Sequence, residues 1–307
     1  MRKTSISVII PLYNKEKYIQ ASIESVLAQE GYFREIVVID DGSTDSGHAI
    51  VARMNDNRIR LVRQPNSGVS AARNRGVKEA SGDYVAFLDA DDMYLDGFLS
   101  AAAEMISIYP EAGMYATSYK KVYPNGSITV PKAAGIRATD APQILNDFYR
   151  AWCKSPLFSA SSICLRRFAM NEGGIEFPVG ERLGEDQEVW FRMAEKYPIA
   201  YCRRPLSLYK VDVPGSLTTG AQNISLLPCY LRLAERVDSG HFPERFKTSA
   251  QRLVSSHYLN VARRRMATGD RRGAMELILD ARAKHNLPYW LRCLALSLLT
   301  KLRQYSE

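Results

Sequence analysis

Residues 84–95 read YVAFLDADDMYL. A run of apolar and aromatic residues, the composition of a buried strand, ends in Asp89, Asp91 and Asp92, three carboxylates within four positions. One polar residue would suffice to end a strand, so the concentration of charge points to chemistry at the strand's carboxyl end. Were the strand to continue, its period of two would put Asp89 and Asp91 on one side with the small Ala90 between them. Two carboxylates on one side repel unless a cation lies between them, and hard oxygen ligands suit Mg²⁺ or Mn²⁺, which complete their shells with water and substrate phosphates. Read alone, Asp91 or Asp92 serves equally well as the cap of a following helix.

Upstream, apolar β-branched runs alternate with amphipathic segments: SVIIPL, KYIQASIESVLAQ, EIVVID, GHAIVARMN, IRLVR, GVSAARNRGVKEA and then YVAFLD. This alternation predicts an α/β fold with a parallel sheet flanked by helices on both faces. The strands are apolar throughout rather than alternating, as strands covered on both faces should be. In open sheets of this kind, ligands bind beyond the carboxyl ends of the strands. Polar clusters stand at three such ends: Tyr13-Asn14, residues 40–45 (DDGSTD) and residues 89–92 (DADD). Asp40 and Asp41 can accept from a base N–H or a ribose hydroxyl, or can simply belong to a strand-to-helix turn. Arg73 in NSGVSAARNRG can reach base or phosphate, or lie free on the surface.

Beyond residue 113 the pattern loosens. MYATSYKKVYPNGSITV predicts a hairpin turning at Pro124-Asn125-Gly126, SSICLRR a strand, ERLGEDQEVWFRMAEKY a helix opening near Glu185, and IAYC and LSLYKV two further strand pieces,. After Gly220 only helical periodicity remains, which sets the expected division at 1–220 for the nucleotide-binding domain and 221–307 for a helical, basic C-terminal region.

The five cysteines show no CxxC spacing, no apolar run approaches the roughly 18 residues that would span a bilayer, and the start MRKTSISVIIPLYN does not read as a leader,. These features fit a reducing cytoplasm. The net charge of +8 is uneven: residues 241–307 hold 13 Lys and Arg against 5 Asp and Glu, leaving 28 against 28 in residues 1–240. A basic tail on a neutral body faces an anionic partner or is a solvated helix surface. In PYWLRCLALSLLTKLRQY, Trp290, Leu294, Leu298 and Leu302 form one stripe with Arg292, Lys301 and Arg303 on the polar side. Such a helix either lies at a lipid interface or packs on the body.

In order, ISVIIPLYN, EIVVIDDGSTD, NSGVSAARNRG, YVAFLDADD and LGEDQEVWFRM resemble the motif series of the family 2 glycosyltransferases over residues 4–218. The resemblance implies the GT-A fold, with a Rossmann-like, mostly parallel sheet and here a C-terminal helical extension. It implies an inverting transfer of a sugar from a nucleotide-diphosphate sugar, most often a UDP-sugar, to a glycan or lipid-linked acceptor in surface polysaccharide synthesis. By position, Pro11 and Tyr13 match the nucleoside pocket, and Asp41 with Asp40 beside it matches the base-recognising acid. Arg73 matches a nucleotide contact, Asp91 the ligand of Mn²⁺ or Mg²⁺, and Asp89 its partner near the ribose or the metal. Asp186, paired with Glu185, matches the catalytic base.

An attack on the anomeric carbon from the face opposite the leaving diphosphate needs such a base, and proton transfer of this sort contributes about 10²–10⁴ in rate. Asp186 stands at a predicted helix start, where the helix dipole favours an anion, although an acid there also serves as a cap.

The sequence departs from the family in YKVDVPGSLTTG, where Lys210 replaces an arginine and Asp212 or Val213 stands in place of a histidine. Lys210 or Ser216 is then expected at the diphosphate, with residues 211–220 as a lid. Peripheral contact with the inner face of the membrane through the C-terminal helices is expected, and nucleic acid is not. A sugar nucleotidyltransferase would carry a glycine-rich basic loop after the first strand, which PLYNKEKY lacks. A non-catalytic nucleotide-sugar binding module is disfavoured by Asp91 and Asp186.

Overall fold

The structure, a computed structural model, describes residues 4–133, 135–216 and 224–304, with side chains to residue 297. The chain divides into two compact units, Met1–Ala151 with Ser155–Thr219 and Trp152–Lys154 with Gly220–Glu307.

The first unit is a mixed sheet covered by helices. Strand β1 (Ile6–Leu12) is buried along its whole length because it has a parallel neighbour on each side, β2 (Glu35–Asp40) and β4 (Tyr84–Phe87). Ile9 lies opposite both Val37 and Phe87. Beyond β2 comes β3 (Ile59–Arg63), also parallel. Each fully buried Val or Ile of these strands contributes about 1.5–3 kcal/mol of transfer free energy, which is why the continuous apolar runs become the centre of the sheet.

Helices α1 (Ile19–Leu27), α2 (Gly47–Arg53) and α3 (Val69–Glu79) are the crossovers. Gly76 lets α3 lie close on β1, since a Cβ there would collide with the side chain of Ile9.

The second half of the sheet changes direction. After β5 (Met93–Tyr94) and α4 (Phe98–Ile108) come β6 (Met114–Val122), β7 (Ile128–Thr129), β8 (Gln143–Ile144), α5 (Phe148–Trp152), β9 (Ile163–Arg166), α6 (Arg167–Asn171), α7 (Glu185–Lys196) and β10 (Ile199–Lys210). The order is β3-β2-β1-β4-β9-β6-β10-β5, with β9 antiparallel to β4 and β6. Two reversals at β9 return β6 to the direction of β4, so their carboxyl ends share one edge.

The predicted hairpin forms between β6 and β7, closed by the Gly126 N–H donating to the Tyr123 carbonyl at 2.9 Å. The two strand pieces expected at IAYC and LSLYKV are one strand, β10. Its register against β6 shifts on either side of Pro205, where a proline is tolerated because the ladder is already interrupted.

In the second unit α9 (Glu244–Ala267) is the central helix, joined by α8 (Pro228–Asp238), α10 (Arg271–Leu279) and α11 (Leu287–Gln304). Asp270 caps α10 by accepting from the Gly273 N–H at 2.9 Å. The polar interior is mutually satisfied: Ser255 Oγ donates to the Ala283 carbonyl at 2.6 Å and accepts from the Asn286 N–H at 3.0 Å.

On α11, Trp290 and Leu294 are half-buried, and the Trp290 indole donates to the Ile278 carbonyl at 2.7 Å. That part of the predicted stripe packs within the unit, and the outward leucines among the described side chains are Leu287, Leu291 and Leu296. The side chains of Leu298, Lys301, Leu302 and Arg303 lie outside the described residues. No helix among the described residues is long and apolar enough to cross a membrane.

Candidate active site

The site is built where β1, β2 and β4 end. Strand β4 stops at Phe87, and residues 89–92 form a turn closed by the Asp92 N–H donating to the Asp89 carbonyl at 2.9 Å. This corrects the extended geometry expected for Asp89 and Asp91: the period-two argument needs a continuous strand, and the turn sends the three carboxylates to three different partners. Ser22 of α1 fixes the turn from below, its hydroxyl 2.8 Å from the Ala90 carbonyl and 2.7 Å from that of Asp92.

Asp89 pairs with Arg73, whose Nη2 donates to its Oδ1 at 2.8 Å. Asp91 pairs with Lys15, Nζ to Oδ2 2.9 Å. Asp92 is buried and structural. It accepts from the Lys210 N–H at 3.0 Å and from Ser161 Oγ at 2.6 Å, while Ser161 Oγ accepts from the Asp89 N–H at 3.1 Å. Burial raises the Asp92 pKa well above the usual carboxylate range, and the charges of Asp89 and Asp91 add to the rise. The third carboxylate of the motif thus ties the turn to the end of β10, and neither Asp91 nor Asp92 caps α4, whose N-cap is Gly97.

Arg73 is the hub. On α3 it is almost fully buried, stacks over the Phe177 ring at 5.3 Å and bridges from Asp89 to Glu185, where Nη1 donates to Oε1 at 3.1 Å. Burial alone would lower its pKa, but Asp89 and Glu185 hold it above the ordinary arginine value. Glu185 and Asp186 open α7 behind Gly184, whose φ of 82° is the left-handed conformation that glycine takes at low cost,. Burial, with the Asp186 charge added, pushes the Glu185 pKa up to about 7, and Arg73 opposes the rise. Burial also raises Asp186, against the Arg73 charge and the Gln187 N–H that donates to its Oδ1 at 2.7 Å.

The residues expected at the base-binding end are placed as follows. Pro11 is buried inside β1 opposite Ile39, and Tyr13 emerges just past the strand end, 46% exposed. Asp41 is buried and accepts from Gln64 Nε2 (2.7 Å), the Ser67 N–H (2.9 Å) and the Gly68 N–H (2.8 Å), so it shapes the loop that leads into α3. Asp40 faces inward, accepting from the Ser43 N–H at 3.0 Å and pairing with Arg63 at 2.8 Å. Lys210 contributes its backbone to Asp92, and its ammonium lies 5.0 Å from the centre of the Tyr18 ring. Asp212 follows β10 with a φ of 56°. Ser216 closes a turn by donating its N–H to Val213 at 3.0 Å, and residues 217–220 of the expected lid lie outside the described residues.

Three contributors escaped the sequence reading. Lys15 and Ser161 are unremarkable in sequence. Asn14 at the end of β1 was noted only as polar, yet its Oδ1 accepts from the Thr44 N–H at 2.8 Å and so joins the turns after β1 and β2. Its φ of 51° is rare for a residue with a side chain, and asparagine is among the residues enriched there,.

Asp91 and Asp89 fit a hard divalent cation that draws the rest of its shell from substrate and water. Their donors are carboxylate oxygens, and an ammonium nitrogen already rests 2.9 Å from Asp91. Among the described residues, no three His, Cys, Asp or Glu side chains are grouped so as to hold a metal unaided.

Comparison with known proteins identifies the family and the fold. Residues 7–173 match the family described as glycosyl transferase family 2. A protein of Rickettsia felis designated an uncharacterized glycosyltransferase is 34% identical over 224 residues, covering 71% of this chain and 35% of the relative. Glycosyltransferase GlyA of Streptococcus pneumoniae is 35% identical over 144 residues, 40% of this chain and 21% of GlyA. The chain thus spans about a third or less of the length of these curated relatives. Among solved structures, S. aureus TarS 1–349 in complex with UDP-GlcNAc superposes with a TM-score of 0.65 at 21% identity, covering 96% of this chain and 80% of that one. At that identity the likeness speaks for the fold, which is the GT-A architecture that the motifs led us to expect. With five motifs in order, the fold they imply and a family match across more than half of its length, this chain belongs to glycosyl transferase family 2.

Proposed function

We propose that the protein transfers a sugar, with inversion, from a nucleoside-diphosphate sugar to a hydroxyl of a glycan or lipid-linked acceptor. The observation that carries this reading is Arg73, a buried cation that joins Asp89 of the DxD turn to Glu185, the neighbour of Asp186. It links Asp89, in the turn suited to a cation carrying a diphosphate, to the pair suited to an acceptor.

In the step itself, the acceptor oxygen forms a bond to the anomeric carbon as the bond from that carbon to the diphosphate oxygen breaks. The electron pair leaves with the diphosphate, and the acceptor proton passes to the Asp186 carboxylate. Burial raises the proton affinity of Asp186, which suits a group that must hold a proton near neutral pH. Glu185 shares the buried charge and is held by Arg73, while the Gln187 N–H holds the Asp186 carboxylate. Mn²⁺ or Mg²⁺ bound by Asp91 with Asp89 would supply neutralisation of charge developing on the diphosphate. Tyr13, exposed at the end of β1, offers a ring for the base, and Asp41 offers an acceptor for its N–H. UDP is the favoured carrier, on the likeness to TarS, which is described in complex with UDP-GlcNAc and with UDP.

Peripheral attachment to an anionic membrane is the accompanying proposal. Its support is the charge excess of residues 241–307 and, on α11, Leu287 and Leu291 turned outward at 55% and 52% exposure beside exposed Arg292.

Incubating the full chain with a panel of nucleoside-diphosphate sugars and Mn²⁺ tests the main reading. We expect slow hydrolysis of a UDP-sugar that EDTA stops and Asp91→Asn removes. A chain that binds and hydrolyses no nucleoside-diphosphate sugar refutes it. Flotation with phosphatidylglycerol vesicles tests the second: binding should weaken as salt rises, and equal, salt-independent behaviour on neutral vesicles refutes it.

A further inference from the structure

Lys15 stands in the turn that leaves β1, and no family motif quoted above assigns it a role. Its ammonium lies 2.9 Å from Asp91 Oδ2 and donates to the Pro214 carbonyl at 3.2 Å. The two side chains are only 10% and 14% exposed. Pro214 belongs to the stretch that follows β10, whose start is tied down by the Val211 N–H donating to the Val122 carbonyl at 2.9 Å and by the Lys210 N–H on Asp92. One ammonium therefore bridges the carboxylate suited to a metal and the backbone of residues 211–216.

We propose that Lys15 is a resident counter-ion which gives up Asp91 when a divalent cation binds, and that its departure releases its hold on Pro214, so that loading of Asp91 is reported to residues 211–216. The proposal rests on the reading of Asp91 as the metal-binding carboxylate.

The physical case has three parts. First, a divalent ion on a carboxylate oxygen already 2.9 Å from an ammonium would stand about 4–5 Å from that second cation, and their repulsion in a poorly solvated site sets the two occupancies against each other,. Second, Asp91 needs a cation in either state. Asp91 shares one tight turn with Asp89 and the buried Asp92, so an unpaired Asp91 would leave the repulsion among these carboxylates without relief on its side of the turn. Arg73 already serves Asp89, and Lys15 serves Asp91. Third, a single-point ammonium on a flexible four-carbon stem is exchanged more readily than a bidentate guanidinium. Because the same ammonium holds Pro214, the exchange couples the two places. By linkage, whatever loosens Pro214 must favour the cation on Asp91 to the same extent.

The experiment uses the full chain and Mn²⁺ alone. Affinity is read by electron paramagnetic resonance titration, and hydrogen exchange is followed in peptides covering residues 211–216. We compare Lys15→Met with Lys17→Met, an exposed neighbour that undergoes the same charge change, and with Asp91→Asn. Lys15→Met should bind Mn²⁺ about ten-fold tighter than wild type, whereas Lys17→Met should shift by no more than about two-fold, as expected of an exposed charge. Exchange in residues 211–216 should quicken on adding Mn²⁺ to wild type and be fast with or without Mn²⁺ in Lys15→Met. If Lys15→Met and Lys17→Met bind alike, or if exchange in wild type ignores Mn²⁺, while Asp91→Asn loses the metal, the Lys15 proposal is overturned and the metal site stands. If Asp91→Asn binds Mn²⁺ like wild type, the metal reading of Asp91 is what has failed, and the proposal falls with it.

Discussion

Arg73 and Glu185 lie 112 positions apart and meet in a buried ion pair of 3.1 Å, with the other arm of the same guanidinium on Asp89. The planar fork explains why this position is an arginine: one side chain must satisfy two carboxylates from different elements at fixed angles. The guanidinium is only 4% exposed, so the cost of removing it is dominated by what remains behind.

Arg73→Met should therefore leave two poorly solvated carboxylates without their cation and destabilise the first unit by about 3–5 kcal/mol. It should also raise the Glu185 pKa above about 7, since Arg73 is what opposes the rise. Arg73→Lys keeps the charge but loses one arm of the fork, and should fall between. Denaturant melts of the three proteins check the order, and a Met variant as stable as wild type would contradict the hub role.

Asp186→Asn should keep UDP affinity near wild type while cutting turnover by about 10² or more, as loss of a general base does. The pH profile offers a second reading. With both acids of the pair raised by burial, activity should climb along an acidic limb that lies above the ordinary carboxylate range. In Asp186→Asn the Glu185 titration, followed by carboxyl NMR, should move down from about 7, because the Asp186 charge is part of what raises it. A limb at pH 4 would mean that the pair is solvated.

Asp92 gives a contrast between two substitutions. Asp92→Ala strips the acceptor from the Lys210 N–H and from Ser161 Oγ, two groups buried by the same contact, and should cost about 2–3 kcal/mol. Asp92→Asn retains an acceptor for Lys210 and removes a charge that its site disfavours. The folded-state pKa is raised, so the native protein holds this proton more tightly than the unfolded chain, and wild-type stability falls as pH rises above the unfolded value near 4,. Asn should be neutral at pH 4 and gain relative to wild type toward pH 8. Thermal melts at the two pH values decide it, and a Asn variant that loses stability as pH rises would be inconsistent with the buried charge.

Much of this was readable in the sequence, for a physical reason. β1, β2, β4 and α3 are local patterns: continuous apolar runs and helical spacing persist whatever the tertiary context. The strand ends likewise marked the candidate site, because parallel strands deliver polar residues to one edge. What failed depended on a single backbone hydrogen bond or on a distant partner. The Asp92-to-Asp89 turn abolished the alternation assumed for Asp89 and Asp91. Pro205 made one strand look like two, since a proline in a strand reads as a break until the register shift beside it is seen. Ser161, 69 residues from Asp92, and Lys15, 76 positions before Asp91, carry no motif, and their roles arise only when the turns are brought together. Trp290 and Leu294 were found on one stripe, but periodicity cannot say whether an apolar stripe faces lipid or a neighbouring helix. The indole bond to Ile278 decides for the helix.

The last prediction concerns the second unit. His257 on α9 stacks on Tyr230, ring centres 3.9 Å apart, and its Nε2 accepts from the Leu227 N–H at 3.0 Å. An imidazole that accepts there must be neutral at that nitrogen. Burial lowers its pKa to about 4, with the Arg264 charge assisting. In the unfolded chain the value returns to about 6.5, so between these values the unfolded state binds the extra proton. Stability is fully present above pH 6.5 and is lost as pH falls toward 4, by at most about 3 kcal/mol at 1.36 kcal/mol per unit. His257→Gln keeps an acceptor without titrating in this window. It should lower stability at pH 7 by the loss of ring stacking, about 0.5–1.5 kcal/mol, yet flatten the decline between pH 6.5 and 4. Hydrogen exchange of α8 and α9 amides across this range reads the unit directly. If wild type and His257→Gln lose protection in parallel as the pH falls, His257 is not the group responsible.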